Sequence, residues 1–273
     1  MSETHRWALA IETSNPSAAT GDASDPSVRL APGVAVAPLI GDGHIGEISV
    51  EVLRQDANAG DDLLPAIDRA AAARGFEPGA LSLVAVSIGP GGFTSLRVAV
   101  TVGTMLAKAT GAALRGVPSA LVVALSGSNA VRRCPGRVGI ALASKGASTH
   151  LTIIEPRGQE AGRDAVAHDA QSLAALGPQA RLVEAVDLAE LALHTLVADR
   201  FLPLPVREAA QALGCVVVEP RLDPGACLRL ALASAASPVA RGADLPLRPI
   251  YAREPEAVTK WRERHGLPGP NPS

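Results

Sequence analysis

Val86-Ser87-Ile88-Gly89-Pro90-Gly91-Gly92-Phe93-Thr94-Ser95-Leu96-Arg97 is the stretch on which the reading of this chain turns. An apolar run over 81–88 enters a glycine-rich turn, and an apolar helical pattern leaves it. A near-continuous apolar run suits a central strand covered on both faces. The glycines permit backbone angles closed to other residues. Thr94 or Ser95 is placed to cap the helix. Its first N–H groups point into the loop with the positive end of the dipole, where an anion fits. The turn is not a G-x-x-x-x-G-K-[ST] loop, since it has no lysine, and it is not G-x-G-x-x-G. Two readings stay open on spacing alone. One is a tight strand-to-helix connection anchored by Phe93. The other is an anion or nucleotide contact through Gly89, Gly91, Gly92 and Thr94, with Glu12 and Thr13 of the first strand.

Upstream, Trp7 to Thr13 reads as a short buried strand. Asn15 to Pro32 is rich in Ser, Ala, Pro, Asp and Gly and reads as a flexible insertion. Two apolar runs, 33–40 and 44–52, joined through Gly41-Asp42-Gly43, predict a hairpin. Asp61 to Arg74 reads as an amphipathic helix with Leu63, Leu64, Ile67, Ala70 and Ala71 on its apolar stripe. Asp61 and Asp62 suit its N-terminus, and Gly75 ends it. With a second helix over 94–110 and a strand over 113–117, the order is βββαβαβ. That order implies a mixed sheet with helices packed against it.

The helix after the glycine turn is apolar nearly all round, with only Arg97 and Lys108 charged between 95 and 108. Such a helix is covered on more than one face. Ala99, Gly103, Ala107 and Gly111 recur every fourth residue, and small residues at that spacing let another backbone approach closely. A glycine inside a helix costs about 1 kcal/mol against alanine, so something packs tightly over Gly103. Either the sheet and the 61–74 helix cover this helix, or the two helices meet a matching pair from another subunit. On the second reading the contact residues are Leu63, Leu64, Ile67, Ala71, Arg97, Ala99, Gly103 and Ala107.

Beyond 118 the pattern predicts a connecting helix over 119–125, a second hairpin from 137–143 and 149–154, and helices over 187–199, 205–213 and 224–236. A strand over 215–218 and a surface-hugging tail from 237 complete it. The implied organisation is a first lobe over 1–118, a smaller second lobe over 119–236, and an extended tail over 237–273. Within the tail, Lys260-Trp261-Arg262-Glu263-Arg264-His265 mixes basic side chains with a tryptophan, a pattern able to touch RNA phosphates and stack on a base.

The bulk composition narrows the classes. The chain has 273 residues, 47% hydrophobic but only 2% aromatic, so its cores are built of Ala, Val and Leu. Its net charge of −2 provides no global basic field for nucleic acid or anionic membrane. Cys134, Cys215 and Cys227 are scattered and odd in number, which suits a reducing cytoplasm rather than a disulfide framework. No apolar run reaches the roughly 18–20 residues of a membrane span, and the opening residues lack the apolar core of a signal peptide. A cytoplasmic, membrane-free protein is expected.

Several of these segments together resemble the TsaB (YeaZ) family. They are Leu9-Ala10-Ile11-Glu12-Thr13-Ser14, Leu63-Leu64-Pro65-Ala66-Ile67-Asp68, the 88–107 run, Gly116-Val117-Pro118-Ser119, and Pro249-Ile250-Tyr251-Ala252-Arg253 with Glu254-Pro255-Glu256-Ala257. The resemblance is specific over about 1–120, weak over 130–235, and returns at 245–262. It implies an α/β fold of two related lobes, actin-like and sugar-kinase-like (ribonuclease H-like). It implies a non-catalytic component of the machinery that makes N6-threonylcarbamoyladenosine beside the anticodon of tRNA. The partners it implies are a TsaD-type catalytic paralogue, met through the first lobe's helices, and a TsaE-type ATPase. tRNA is reached through the complex, and the homodimer is a further state to test. No tightly bound cofactor is expected; any ATP or ADP is expected at the partner interface. The chain departs from the family pattern at Glu12, where the family has aspartate, and at Gly92 and Ser95, where it has Ser and Gly. It also departs at the 15–32 insertion, and at Gly60-Asp61, where a histidine is common.

Three other functions compete. A phosphotransferase of this fold needs acids for Mg²⁺ and a second phosphate loop; Glu12 and the segment 136–146 are the best candidates. A metallohydrolase needs histidines at i and i+3 or i+4; His5, His44, His150, His168, His194 and His265 are not so spaced. The third is a homo-oligomeric scaffold with a drifted role.

Overall fold

A computed structural model describes residues 6–15, 32–40, 44–54, 62–127, 129–156, 169–176, 179–234, 247–253 and 256–266. The body of the 15–32 insertion, the Gly41-Asp42-Gly43 turn, Asp61, and Glu254-Pro255 lie outside the described residues.

The first sheet contains β1 (Arg6–Glu12), β2 (Gly33–Ile40), β3 (His44–Ile45), β4 (Ser49–Val52), β5 (Leu81–Ser87) and β6 (Ala113–Val117). β2 pairs antiparallel with β1 on one side and with β3 and β4 on the other; β5 and β6 add on in parallel. α1 (Leu63–Arg74) and α2 (Phe93–Thr110) cover the outer face of this sheet. The alternation along β1 shows why. Trp7, Leu9 and Ile11 face the outer helices, while Ala8 and Ala10 face inward. Large side chains fill the outer layer, and alanines let an inner helix lie close to the strands.

The second sheet repeats this topology. β7 (Arg137–Lys145), β8 (Ser148–Ile154) and β9 (Gln179–Val183) form an antiparallel meander. β10 (Leu193–Ala198) then pairs in parallel with β7, and β11 (Val216–Val218) with β10. α6 (Leu188–Leu191) and α7 (Leu204–Ala212) cover its outer face. Between the sheets lie α3 (Ser119–Ser126), the short α4 (Asn129–Arg132) and α5 (Ala170–Ala174), and α8 (Pro224–Ala233). α8, which follows the second sheet in sequence, packs chiefly on β1 and β2 of the first, whereas α3, which follows the first sheet, touches β7 of the second. The two lobes therefore share one central core, in which Ala10, Ala35 and Ala85 join Val138, Ile140 and Leu230.

Three expectations are corrected. The helix expected over 187–199 is a single turn, α6, followed by strand β10. A short Leu/Ala-rich run satisfies either period. Here Ala192 takes a left-handed backbone (φ 48°) that ends the turn, and open hydrogen-bonding edges on both neighbours draw 193–198 into the sheet. The tail expected to be extended contains α9 (Glu256–Arg264). The cap expected from Thr94 or Ser95 is absent, because α2 begins one residue earlier, with Gly92 as its N-cap and no side-chain cap bond.

Candidate functional site

The parallel neighbours β1 and β5 end side by side, which brings Glu12, Thr13 and Ser14 against the glycine turn. Gly89 has a left-handed backbone (φ 99°) that strongly favours glycine. Its N–H donates to Ser119 Oγ at 2.9 Å, and its carbonyl accepts from Ser119 N at 2.9 Å. Ser119 Oγ also lies 2.7 Å from Ser87 Oγ. Gly91 passes so close to the Ser14 backbone that a Cβ there would overlap the Ser14 carbonyl. Gly92 N–H donates to that same carbonyl at 2.6 Å. The Thr13 hydroxyl donates to the Ser95 carbonyl at 3.3 Å. The glycines thus serve a clamp between β1, β5 and α3. The structure brings Glu12, Thr13, Gly89, Gly91 and Gly92 together, while the Thr94 side chain is turned to solvent.

Glu12 has no exposed surface. Its Oε1 accepts from Ser14 N at 2.8 Å and Ser14 Oγ at 2.6 Å, while Oε2 has no hydrogen-bond partner in the structure. Burial pushes this carboxyl above its ordinary range. The bonds from Ser14 oppose the shift, and the nearby Asp223 adds to it. A Mg²⁺–nucleotide needs ionised carboxylates reachable from solvent. Glu12 is closed off and biased toward its neutral form, so the residues here do not fit that group. The 136–146 segment does not fit a phosphate either. The β7–β8 turn presents carbonyl oxygens, and these face a cation: Arg253 donates to the carbonyls of Ala143 at 3.1 Å, Lys145 at 2.9 Å and Ser148 at 2.7 Å. Among the described residues no group of three metal-ligating side chains gathers.

Arg253 belongs to a strap that lies outside the residues expected at the site. Ile250 N–H donates to Ile88 O at 2.7 Å beside the glycine turn, Leu247 packs over Gly116, and Tyr251 meets Phe93 with ring centroids 5.1 Å apart. The strap runs from the first lobe's glycine turn to the second lobe's hairpin. Its only signal in the sequence is the Pro249-Ile250-Tyr251-Ala252-Arg253 segment itself, whose role depends on contacts with residues 100 or more positions away.

On the outer face, Ala99, Gly103 and Ala107 point at the sheet, and a Cβ on Gly103 would collide with Val86 Cγ2. The close approach inferred from these small residues is made by β5. Leu63 and Ile67 are likewise buried on the sheet, and Ala71 is buried beside them. Of the eight contact residues named from sequence, only Leu64 (53% exposed) and Arg97 reach solvent. Met105, at 64%, and Phe93, at 45%, join them, with the Arg97 guanidinium 5.3 Å from the Phe93 ring centre. α1 is fixed beneath this face by Arg69, which binds Asp62 through both terminal nitrogens at 2.9 Å and Glu51 at 2.5 Å. The Asp62 carboxyl is held down to about 2 by Arg69.

Two sheets of repeated topology, wrapped around shared central helices, define the two-lobed α/β class of actin-like, ribonuclease H-like proteins. The family model described as "TsaD: tRNA N6-adenosine threonylcarbamoyltransferase" matches residues 58–192. Two solved structures from Pseudomonas aeruginosa are similar in fold. One is an uncharacterized protein with similarity to peptidase YEAZ (17% identity, 91% of this chain, 100% of that chain, TM-score 0.56). The other is YeaZ (18% identity, 90% of this chain, 99% of that chain, TM-score 0.55). No curated protein matches the chain in sequence. In fold the chain is similar to YeaZ over most of its length.

Proposed function

We propose that this protein is an accessory, non-catalytic subunit of the tRNA N6-threonylcarbamoyladenosine modification machinery, acting by pairing with a TsaD-type catalytic paralogue. The observation that carries the reading is the threonylcarbamoyltransferase-family match over 58–192, on a chain whose one first-strand acid, Glu12, is sealed from solvent. A chain that carries this match while its first-strand acid is buried suits a partner better than an enzyme. The pairing surface is the outer face of α1 and α2, where Leu64, Phe93, Arg97 and Met105 are exposed. Exposed apolar side chains beside an arginine have the make-up of an interface centre.

On this reading a TsaE-type ATPase and tRNA join through the complex, any ATP or ADP sits at the partner interface, and the setting is the cytoplasm. No described helix is long and apolar enough to cross a membrane. Co-expression with a TsaD-type protein tests the reading. Co-purification in a defined ratio, with restored tRNA modification in a TsaB-depleted bacterium, is expected. Good expression without either would overturn it. Tight binding of ATP and Mg²⁺ by the isolated chain, measured calorimetrically, would favour a phosphotransferase instead, and a stable homodimer indifferent to the TsaD-type protein would favour a drifted scaffold.

A further inference from the structure

α9 has no substantial packing against any other described element, yet its surface is ordered internally. Trp261 is 53% exposed and its ring lies 4.6 Å from that of His265, tilted by 31°. His265 is one turn further on, where its Nδ1–H donates to the Trp261 carbonyl at 2.7 Å. On the adjoining stripe, Lys260 and Arg264 are both exposed and also one turn apart, about 5–6 Å between Cβ atoms. The helix therefore carries an aromatic pair and a cation pair side by side. Residues 256–266 hold three basic side chains and one histidine against two glutamates, in a chain whose net charge is −2.

We infer that α9 is a contact site for single-stranded RNA, with a base stacking on Trp261 and flanking phosphates held by Lys260 and Arg264. Stacking platforms beside cations are how proteins hold unpaired nucleotides without reading sequence. A membrane surface is the poorer match, since a lipid-lying helix needs a broad apolar face. The apolar side chains of α9 amount to Ala257, Val258 and Trp261. The biological ligand, an unpaired region of tRNA, rests on the proposed function; the RNA contact itself is testable without it.

The two tryptophans make the test direct. Trp7 is buried and stacked on Phe76 with ring centroids 4.5 Å apart, whereas Trp261 faces solvent. Base stacking quenches indole emission, so adding oligouridylate or unmodified tRNA to the full chain is expected to quench only the exposed, longer-wavelength component. Binding read by anisotropy of labelled RNA is expected to weaken about 5- to 150-fold in Trp261→Ala. In the Lys260→Ala/Arg264→Ala double variant the salt dependence is expected to flatten by about two counterions. Both changes lie on an exposed helix, so unchanged thermal unfolding is the control. No quenching by either RNA, equal or stronger quenching by anionic lipid vesicles, or unaltered RNA affinity in both variants overturns the inference. RNA quenching in a protein that fails to pair with a TsaD-type subunit would uphold the α9 contact while removing the proposed function.

Discussion

A methyl group at Gly103 would meet Val86, a side chain with no freedom to withdraw because it is itself fully buried in β5. Replacing a mid-helix glycine by alanine gains about 1 kcal/mol in helix propensity, but overpacking a filled core costs about 1–3 kcal/mol. The second term wins here. Gly103→Ala is expected to lower Tm by about 2–4 °C, read by calorimetry; an increase would show that α2 shifts outward freely. Glu12 gives a different signature. Its folded carboxyl holds its proton more tightly than the unfolded one, whose ordinary value is 4.5. Its stabilising contribution is complete below that value and is lost as pH rises through the raised one. Glu12→Gln keeps an acceptor for Ser14 and cannot ionise. The stability of this variant relative to the parent is therefore expected to grow as pH rises above the ordinary carboxyl value of 4.5. A constant difference across that range would mean that the native carboxyl titrates normally.

The elements divide their labour by face. α2 looks fit for a partner on every side, but its exposed residues, Phe93, Thr94, Arg97, Thr101, Met105, Lys108 and Ala109, lie along one face. Introducing Leu64→Asp together with Met105→Glu is expected to leave folding within about 0.5 kcal/mol, as exposed changes do, and to weaken capture of a TsaD-type protein by more than about tenfold. Undiminished capture would move the interface elsewhere. Arginine at Gly103, by contrast, would test the core rather than the surface. α1 is tied to β4 by the Asp62–Arg69–Glu51 cluster. Asp62 has a depressed carboxyl, so its contribution is present above the ordinary value of 3.8 and is lost as pH falls through about 2. Asp62→Asn is expected to be less stable than the parent at neutral pH, with the gap closing below about pH 4 in acid titrations. A gap that persists in acid would assign the loss to packing.

At the scale of the molecule, the helix after each sheet packs toward the other sheet, and a C-terminal strap joins the glycine turn to the β7–β8 hairpin. Arg253 is the strap's far anchor, with four hydrogen bonds to that hairpin. Arg253→Ala is expected to raise amide exchange at 143–148 and, through the freed strap, around Ile88 and Gly89, while β1 and β5 stay protected. Exchange confined to the hairpin would show that the strap is held at its first-lobe end alone. The apolar runs, the glycine turn and the order of strands in the first lobe were legible because each is a local signal: a period, a turn residue, a strand length. So was the family resemblance, which gathered those signals into one pattern. The 193–198 strand was not legible, because a Leu/Ala run fits either period and only the edges of β7 and β11 decide between them. The facing of the Ala99-Gly103-Ala107 stripe, the neutral bias of Glu12 and the reach of Arg253 were not legible either. A small residue shows that something comes close without showing what. A carboxyl's proton affinity and an arginine's acceptors depend on atoms brought from elsewhere in the chain, which only the packed lobes put in place.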